Sequence, residues 1–453
     1  MPVTHQHDDF VKFSPIWKKS RDVTEGQEAV HGGGVLYLNT LVDEKDADYR
    51  ARVDRAVFYD ATARTIEGML GMLFRKSPVV EINQFEDLLN NIDLQGNDIT
   101  QFLKSVSKEA LTVNRFGLLI DYPFIADGST LADALKVDAR PSMNLYKAET
   151  IINWKTMRIN GKQQLSQVVL VEDVTVPMDE FQDDTEKHYR VLDLFEGHYR
   201  VRVFDKDDTQ IVPDLFPTMS GKKQTTIPFF FYPTIDPQRP ALLGLVNMNL
   251  SHYQTTADYE HGCHLSGLPT LFISGYTPVE GHTVYIGGPT AQALPESDAK
   301  AYYVEVGNDF QALRDNLKDK EARMGILGSR MLQEQKKQTE AAETAGIHRA
   351  GEVSTLSAMS IALSTTFNEA LRRMIEWAGA TNPEVNIELN RDYVPATMNY
   401  QMVSALLQAV QAGEVSSQAF FENLKAGELY PENIDYEAEQ ERISSTPPPT
   451  PDK

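Results

Sequence analysis

Cysteine is nearly missing from this chain: Cys263 stands alone among 453 residues, which excludes an intramolecular disulfide framework. Cations are also scarce, 43 Lys and Arg against 65 Asp and Glu, for a formal charge of -22. Wrapping nucleic acid takes an excess of Lys and Arg to neutralise phosphate, so a broad basic binding surface is excluded, whereas a protein that merely surrounds DNA can be acidic. No window reaches the ~18 apolar residues of a membrane-spanning helix. The opening MPVTHQHDDF has neither the basic nor the apolar region of a secretory leader, so neither an embedded nor a secreted chain is expected.

Signatures of chemistry are missing too. The sequence holds no G-x-x-x-x-G-K-[ST] phosphate cradle, no G-x-G-x-x-G after a strand, no H-E-x-x-H and no G-x-S-x-G. S-x-x-K occurs at Ser105/Lys108, Ser220/Lys223 and Ser297/Lys300, three unrelated places, and reads as chance. His252, His261, Cys263 and His264 form the one metal-like group; without a second Cys or a carboxylate at ligand spacing they read as capping and packing residues. Asp183-Asp184 and Asp207-Asp208 are expected in polar loops, serving solubility rather than acid–base work. No catalytic residue, metal or cofactor is expected, and the chain is read as not an enzyme.

What is present is ordinary globular material, 41% hydrophobic and 24% charged, enough for two or three domains. Residues 10–80 read as mainly helical, with a short amphipathic piece at Trp17 to Arg21 and a helical pattern from Tyr49 to Phe74, where Arg50, Arg52, Arg55 and Arg64 form a solvated or salt-bridged face. A helix is expected over Ile99 to Val113, capped by Asn97 or Asp98, then a buried strand from Phe116 to Tyr122. Between 140 and 235 the period changes to two, at 167–174, 189–195 and 199–204, with Glu196-Gly197 as a tight hairpin turn: an antiparallel sheet. Phe229-Phe230-Phe231-Tyr232 reads as a buried strand.

From Pro240 onward, Leu242, Leu245, Val246, Leu250, Tyr253 and Ala257 put a thin apolar stripe on a long helix. A helix so long with so narrow a stripe is expected to lie outside any one compact core. Strand-like pieces follow at 270–273, 284–286 and 302–306, then a second long helix from Asp309 to Leu332. After the polar run Gln333 to Gln338 a third extends from Thr339 to Ala378, and a helical hairpin turning at Gly413 is reopened by Ser416 or Ser417 and stopped by Gly427. From Glu437 the chain reads as a disordered tail. Thin-striped helices around a β-containing tip suit a subunit whose copies cover one another.

The block Ile16-Trp17-x-x-x-Arg21-Asp22-x-x-x-Gly26-x-x-Ala29-Val30 resembles a known family, as does Arg55-Ala56-x-Phe58 with Ala63-Arg64-Thr65-x-x-Gly68-x-x-Gly71-Met72-x-Phe74-Arg75-Lys76-x-Pro78. Gly117 to Pro123 and the helix ending Gly267-Leu268-Pro269 fit the same pattern. It is that of the portal proteins of tailed bacteriophages, in particular small ones long filed as a domain of unknown function. The resemblance implies an α+β, mainly helical subunit of a dodecameric ring at one capsid vertex, through which double-stranded DNA is packaged and ejected. It implies a wing over 1–240, stem helices at 241–262 and 309–329, a clip at 263–308 and a tunnel loop at 330–342. A long wing helix and its return would occupy 343–394, a helical crown 395–436 and the tail 437–453. Arg330, Gln333, Gln335, Lys336 and Lys337 would face the channel, and Tyr276, His282, Tyr285 and Tyr302 the packaging motor. Implied partners are further copies of the chain, the terminase large subunit, the major capsid protein, a head–tail adaptor or neck protein, and DNA held without sequence preference; no membrane is involved. Localisation would be the virion, after assembly in the bacterial cytoplasm. The rival classes are an acidic soluble enzyme with a carboxylate and histidine site that no linear pattern reveals, and another ring-forming neck protein.

Overall fold

The computed structural model describes residues 2–123, 139–159, 161–266, 270–274, 298, 300–304, 310–328, 342–393, 400–427, 429–431 and 434–445. Contacts divide the chain into two units, Met1–Leu389 and Asn390–Lys453, and helix and sheet are mixed, as expected. The first unit begins with α1 (Asp8–Glu25), capped by His7, whose Nδ1 accepts the Asp9 amide at 3.1 Å. The short piece expected at Trp17 is thus an 18-residue helix that runs through Pro15. One hydrogen bond is forgone at the proline, and burial of Phe10, Trp17 and Val23 outweighs that loss.

Three apolar cores follow. In the first, α5 (Ile99–Val113) starts at a reciprocal capping box of Asp98 and Gln101 and ends at Asn114 in the left-handed conformation. It packs with β2 (Phe116–Asp121), β3 (Ser142–Lys147), β11 (Phe229–Tyr232) and the 37-residue helix α8 (Ala342–Ala378). The strands form an antiparallel sheet in the order β11-β2-β3, and β1 (Val79–Ile82) pairs with β14 (Val385–Glu388) beside it. Gly117 is required by close approach: a Cβ there would lie 2.0 Å from the Phe229 ring.

The second core lies on a five-stranded antiparallel meander, β4 (Ile151–Ile159), β5 (Lys162–Pro177), β6 (Asp183–Phe195), β7 (His198–Phe204) and β8 (Gln210–Leu215). The Glu196-Gly197 turn has φ of 51° and 79°, the mirror-image turn that matches strand twist. A small hairpin, β9 (Thr218–Met219) and β10 (Lys222–Lys223), completes the strands before β11.

The third core unites α1, α2 (Gln27–Gly32), α3 (Asp46–Arg55) and α6 (Leu243–Ser266). The single helical pattern over Tyr49 to Phe74 is two helices, α3 and α4 (Ala61–Leu73). Ala56 turns to extended backbone, the Phe58 amide donates to Gln27 Oε1, and the Phe58 ring meets Tyr253 edge-on. Among the expected surface arginines, Arg52 is buried and clamps Glu44 with two bonds of 2.7 and 2.8 Å.

The second unit holds α9 (Tyr400–Gln411), α10 (Ser417–Ala426) and α11 (Tyr436–Ser445). Ser416 Oγ accepts the Ala419 amide, making it the cap of α10. The tail expected to be disordered from 437 is helical as far as Ser445; Tyr436 and Tyr430 pack on the Phe421 ring, and Glu437 and Glu439 suit a helix start. Residues 446–453 lie outside those described.

Candidate functional site

Helix α6 leads to β12 (Thr270–Ser274), which pairs antiparallel with β13 (Lys300–Val304), and the chain returns along α7 (Gln311–Leu327). The expectation that α6 lies outside a compact core is corrected for its first two-thirds. Its apolar stripe is buried on α1, α3 and α4, and so is a polar one: Asn249, His252 and Thr256. The Asn249 carbonyl accepts from the amide and hydroxyl of Thr62 at 3.1 and 2.9 Å, and its amide donates to Tyr59 O at 2.6 Å. A satisfied amide is as buriable as a leucine, so a stripe counted in apolar residues alone underestimates the buried face.

Helices α6 and α7 run antiparallel and are fixed at both ends by glycine. A Cβ on Gly262 would come within 2.7 Å of the Phe310 ring; one on Gly328 would meet Thr65 Oγ1 at 2.7 Å and Met324 O at 3.0 Å. Midway, Lys320 Nζ donates to Ser251 O at 2.8 Å and Thr255 Oγ1 at 2.5 Å, and burial lowers its pKa. Buried His252 has Nε2 3.5 Å from Glu321; burial outweighs that carboxylate and holds the imidazole pKa below its ordinary value. His261 Nδ1 lies 3.5 Å from Arg55. These histidines serve in packing and pairing, and among the described residues no group of three or more His, Cys, Asp or Glu could hold a metal.

The outward face of α7 is open. Met324 is its one buried residue, while Arg314, Asp315, Lys318, Asp319 and Arg323 alternate in sign along the exposed side. A cavity of about 740 Å³ lies elsewhere in the first unit, between residues 2–8 and the five-stranded sheet. There His7 stacks on Trp154 at 4.1 Å and the Val3 amide donates to Asp208 Oδ1, so the opening segment is strapped to the sheet.

Arg330, Gln333, Gln335, Lys336 and Lys337 lie outside the described residues, as do Tyr276, His282 and Tyr285. Tyr302 falls on β13, in register with Phe272 of β12. Sequence reasoning missed Asn249, which holds α6 to α4, and Lys320, Gly262 and Gly328, which hold the helix pair. A signal did exist for the glycines, since each stands at an end of an otherwise regular helical pattern. Among the described residues no helix is long and apolar enough to cross a membrane.

A family model described as a domain of unknown function, DUF4055, matches residues 241–378, the stretch from α6 through α8. No curated protein matches the chain. Solved structures similar to the chain at low identity include three of a gene transfer agent particle. The neck of an empty gene transfer agent particle computed with C6 symmetry is 12% identical, covering 84% of this chain and 93% of that one, at a TM-score of 0.39. The neck of the native particle computed with C12 symmetry is 12% identical, covering 83% and 93%, at 0.39. The virion of the native particle gives 11% identity, 84% and 93% coverage and a TM-score of 0.40.

Proposed function

We propose that this chain is a structural protein of a phage-like particle, and within that class the portal subunit: a ring at the head vertex through which double-stranded DNA enters and leaves. The observation that carries the reading is the antiparallel pair α6 and α7 bracketing the β12–β13 pairing in one continuous stretch. One face of α6 is anchored in a core and the mixed-charge face of α7 is left open, an arrangement suited to side-by-side repetition of copies around an axis. In this reading α6 and α7 are the stem, residues 263–308 with Tyr276, His282, Tyr285 and Tyr302 the clip that meets the terminase large subunit, and 330–342 the tunnel loop. The wing faces the major capsid protein and the clip later meets a head–tail adaptor. An acidic lumen repels the phosphate backbone, so the duplex slides, with Arg330, Lys336 and Lys337 as its few basic contacts.

Light scattering with negative-stain microscopy of the purified chain tests the assembly. Rings of about twelve copies with a central channel are expected; a stable monomer that turns over a small-molecule substrate overturns the reading in favour of an enzyme. Reversing Lys336 and Lys337 to Glu should leave rings intact and impair DNA packaging or retention, and unchanged packaging removes the two lysines from the mechanism.

A further inference from the structure

The five-stranded sheet does not end evenly. Pairing of β4 with β5 stops at Ile151–Leu170, and pairing of β7 with β6 stops at Phe204–Tyr189. Beyond those points β5 and β6 continue as a lone ribbon through six further pairs, from Glu172–His188 to Pro177–Asp183, about 20 Å of projection at the usual strand rise. Among the described residues no other strand pairs with either edge of the ribbon there. A two-stranded ribbon is marginal in water on its own.

The tip is ordered. Asp179 Oδ1 accepts the amides of Phe181 and Gln182, both at 2.8 Å, and the amides of Met178 and Asp179 donate to Gln182 O. On this pinned loop Phe181 is 91% exposed and Met178 64%. A large apolar side chain displayed on a preorganised tip, away from every core, has the form of a binding anchor, because its ordering cost has been met before any partner arrives. Charge specifies the rest. From residue 173 to 187 the arm carries six carboxylates, Asp173, Asp179, Glu180, Asp183, Asp184 and Glu186, against the single cation Lys187.

We propose that the β5–β6 arm is a docking arm whose partner is a different protein, one presenting an apolar socket for Phe181 rimmed by Lys and Arg. An acidic arm is repelled by nucleic acid and anionic lipid, and a rim of Lys and Arg is better supplied by a basic protein than by a chain whose own charge is -22. The inference does not depend on the portal reading.

The test places 4-fluorophenylalanine at Phe181 in the full chain, with a second sample labelled at Phe195, at the opposite end of β6, as control. Each is titrated with a peptide of alternating Lys and Leu of about twelve residues, and with its Glu/Leu counterpart. The fluorine resonance at 181 should move with the Lys/Leu peptide alone, and that at 195 should stay. Affinity should fall about fivefold between low and physiological salt. Read by anisotropy of a labelled peptide, Phe181→Ser should weaken binding about tenfold. Both changes lie on an exposed tip and leave the cores untouched. An equal response to both peptides, no response at 181, or an equal response at 195 overturns the proposal. A shift that follows the protein's own concentration overturns it in favour of a second copy.

Discussion

Replacing Asn249 with Ala tests whether the buried polar face of α6 holds the long helix to its core. The side chain is fully buried and satisfies two donors of Thr62, itself fully buried, and the carbonyl of Tyr59. The Tyr59 carbonyl keeps a partner in the Ala61 amide at 2.8 Å; the Thr62 amide, in the first turn of α4, has no carbonyl within its own helix to bond. Each buried donor left unpaired costs about 1–3 kcal/mol, and rotation of the hydroxyl relieves part of its share, so the substitution should cost about 2–4 kcal/mol. That corresponds to about 30- to 900-fold faster amide exchange across the first turn of α4, read by mass spectrometry. Asn316→Ala on the exposed side of α7 is the reference and should be neutral or slightly stabilising, since Ala is the better helix former. In the double variant Asn249→Ala/Thr62→Ala the hydroxyl's share should vanish, giving a non-additive cycle. If Asn249→Ala behaves like Asn316→Ala, the reasoning fails and α6 is held by its apolar stripe alone.

Two further outcomes are expected. Hydrogen bonds from Arg52, chiefly, hold the Glu44 carboxyl at about 2 against an ordinary 4.5. The group therefore contributes stability above pH 4.5 that is lost as the pH falls toward 2. Urea midpoints of the parent chain should drop across that window more steeply than those of Glu44→Gln, and parallel curves would refute the clamp. Gly262→Ala should lower the melting temperature through a clash with Phe310, a cost of about 1–3 kcal/mol. Phe310→Leu should recover most of it, whereas simple additivity of the two changes would show that the ring is not what Gly262 accommodates.

Where one physical signal decides the structure, the sequence was readable. Asp98, one of the two expected caps, opens α5 together with Gln101, Glu196-Gly197 supplied both left-handed residues of its hairpin turn, and the apolar stripe of α8 is buried or half-buried from Leu356 through Met359, Leu363, Phe367, Leu371 and Met374 to Ala378. Where polarity and burial part company, reading failed. Arg52 looked like surface and is a core cation; Asn249 and Thr256 looked like the wet side of α6 and are inside. The ribbon of β5 and β6 outruns its expected segments because β6 is polar throughout from Asp183 to His188; on β5 the alternation continues, with half-buried Val174 and Val176 beside exposed Asp173 and Thr175. The residues assigned to the channel carry no pattern beyond charge and polarity, and their assignment rests on resemblance.

The arginines explain how so acidic a chain stays folded and where its charge goes. Arg21 of α1 bonds Glu109 of α5 and Glu149 beside β4; Arg190 of β6 meets Asp121 of β2 and Glu172 of β5; Arg200 and Arg202 of β7 share Asp193 of β6. Each is mostly buried, and all four join elements far apart in sequence or adjacent in the sheet, acting as cross-links between elements. Burial opposes the charge on Arg21, yet its two carboxylates outweigh it and raise the pKa, so the guanidinium stays charged. These ion pairs take cations and carboxylates out of solvent together, so the excess of 22 negative charges is carried by the remaining ionised groups. In the proposed role that net negative charge repels a phosphate backbone and favours a basic protein partner.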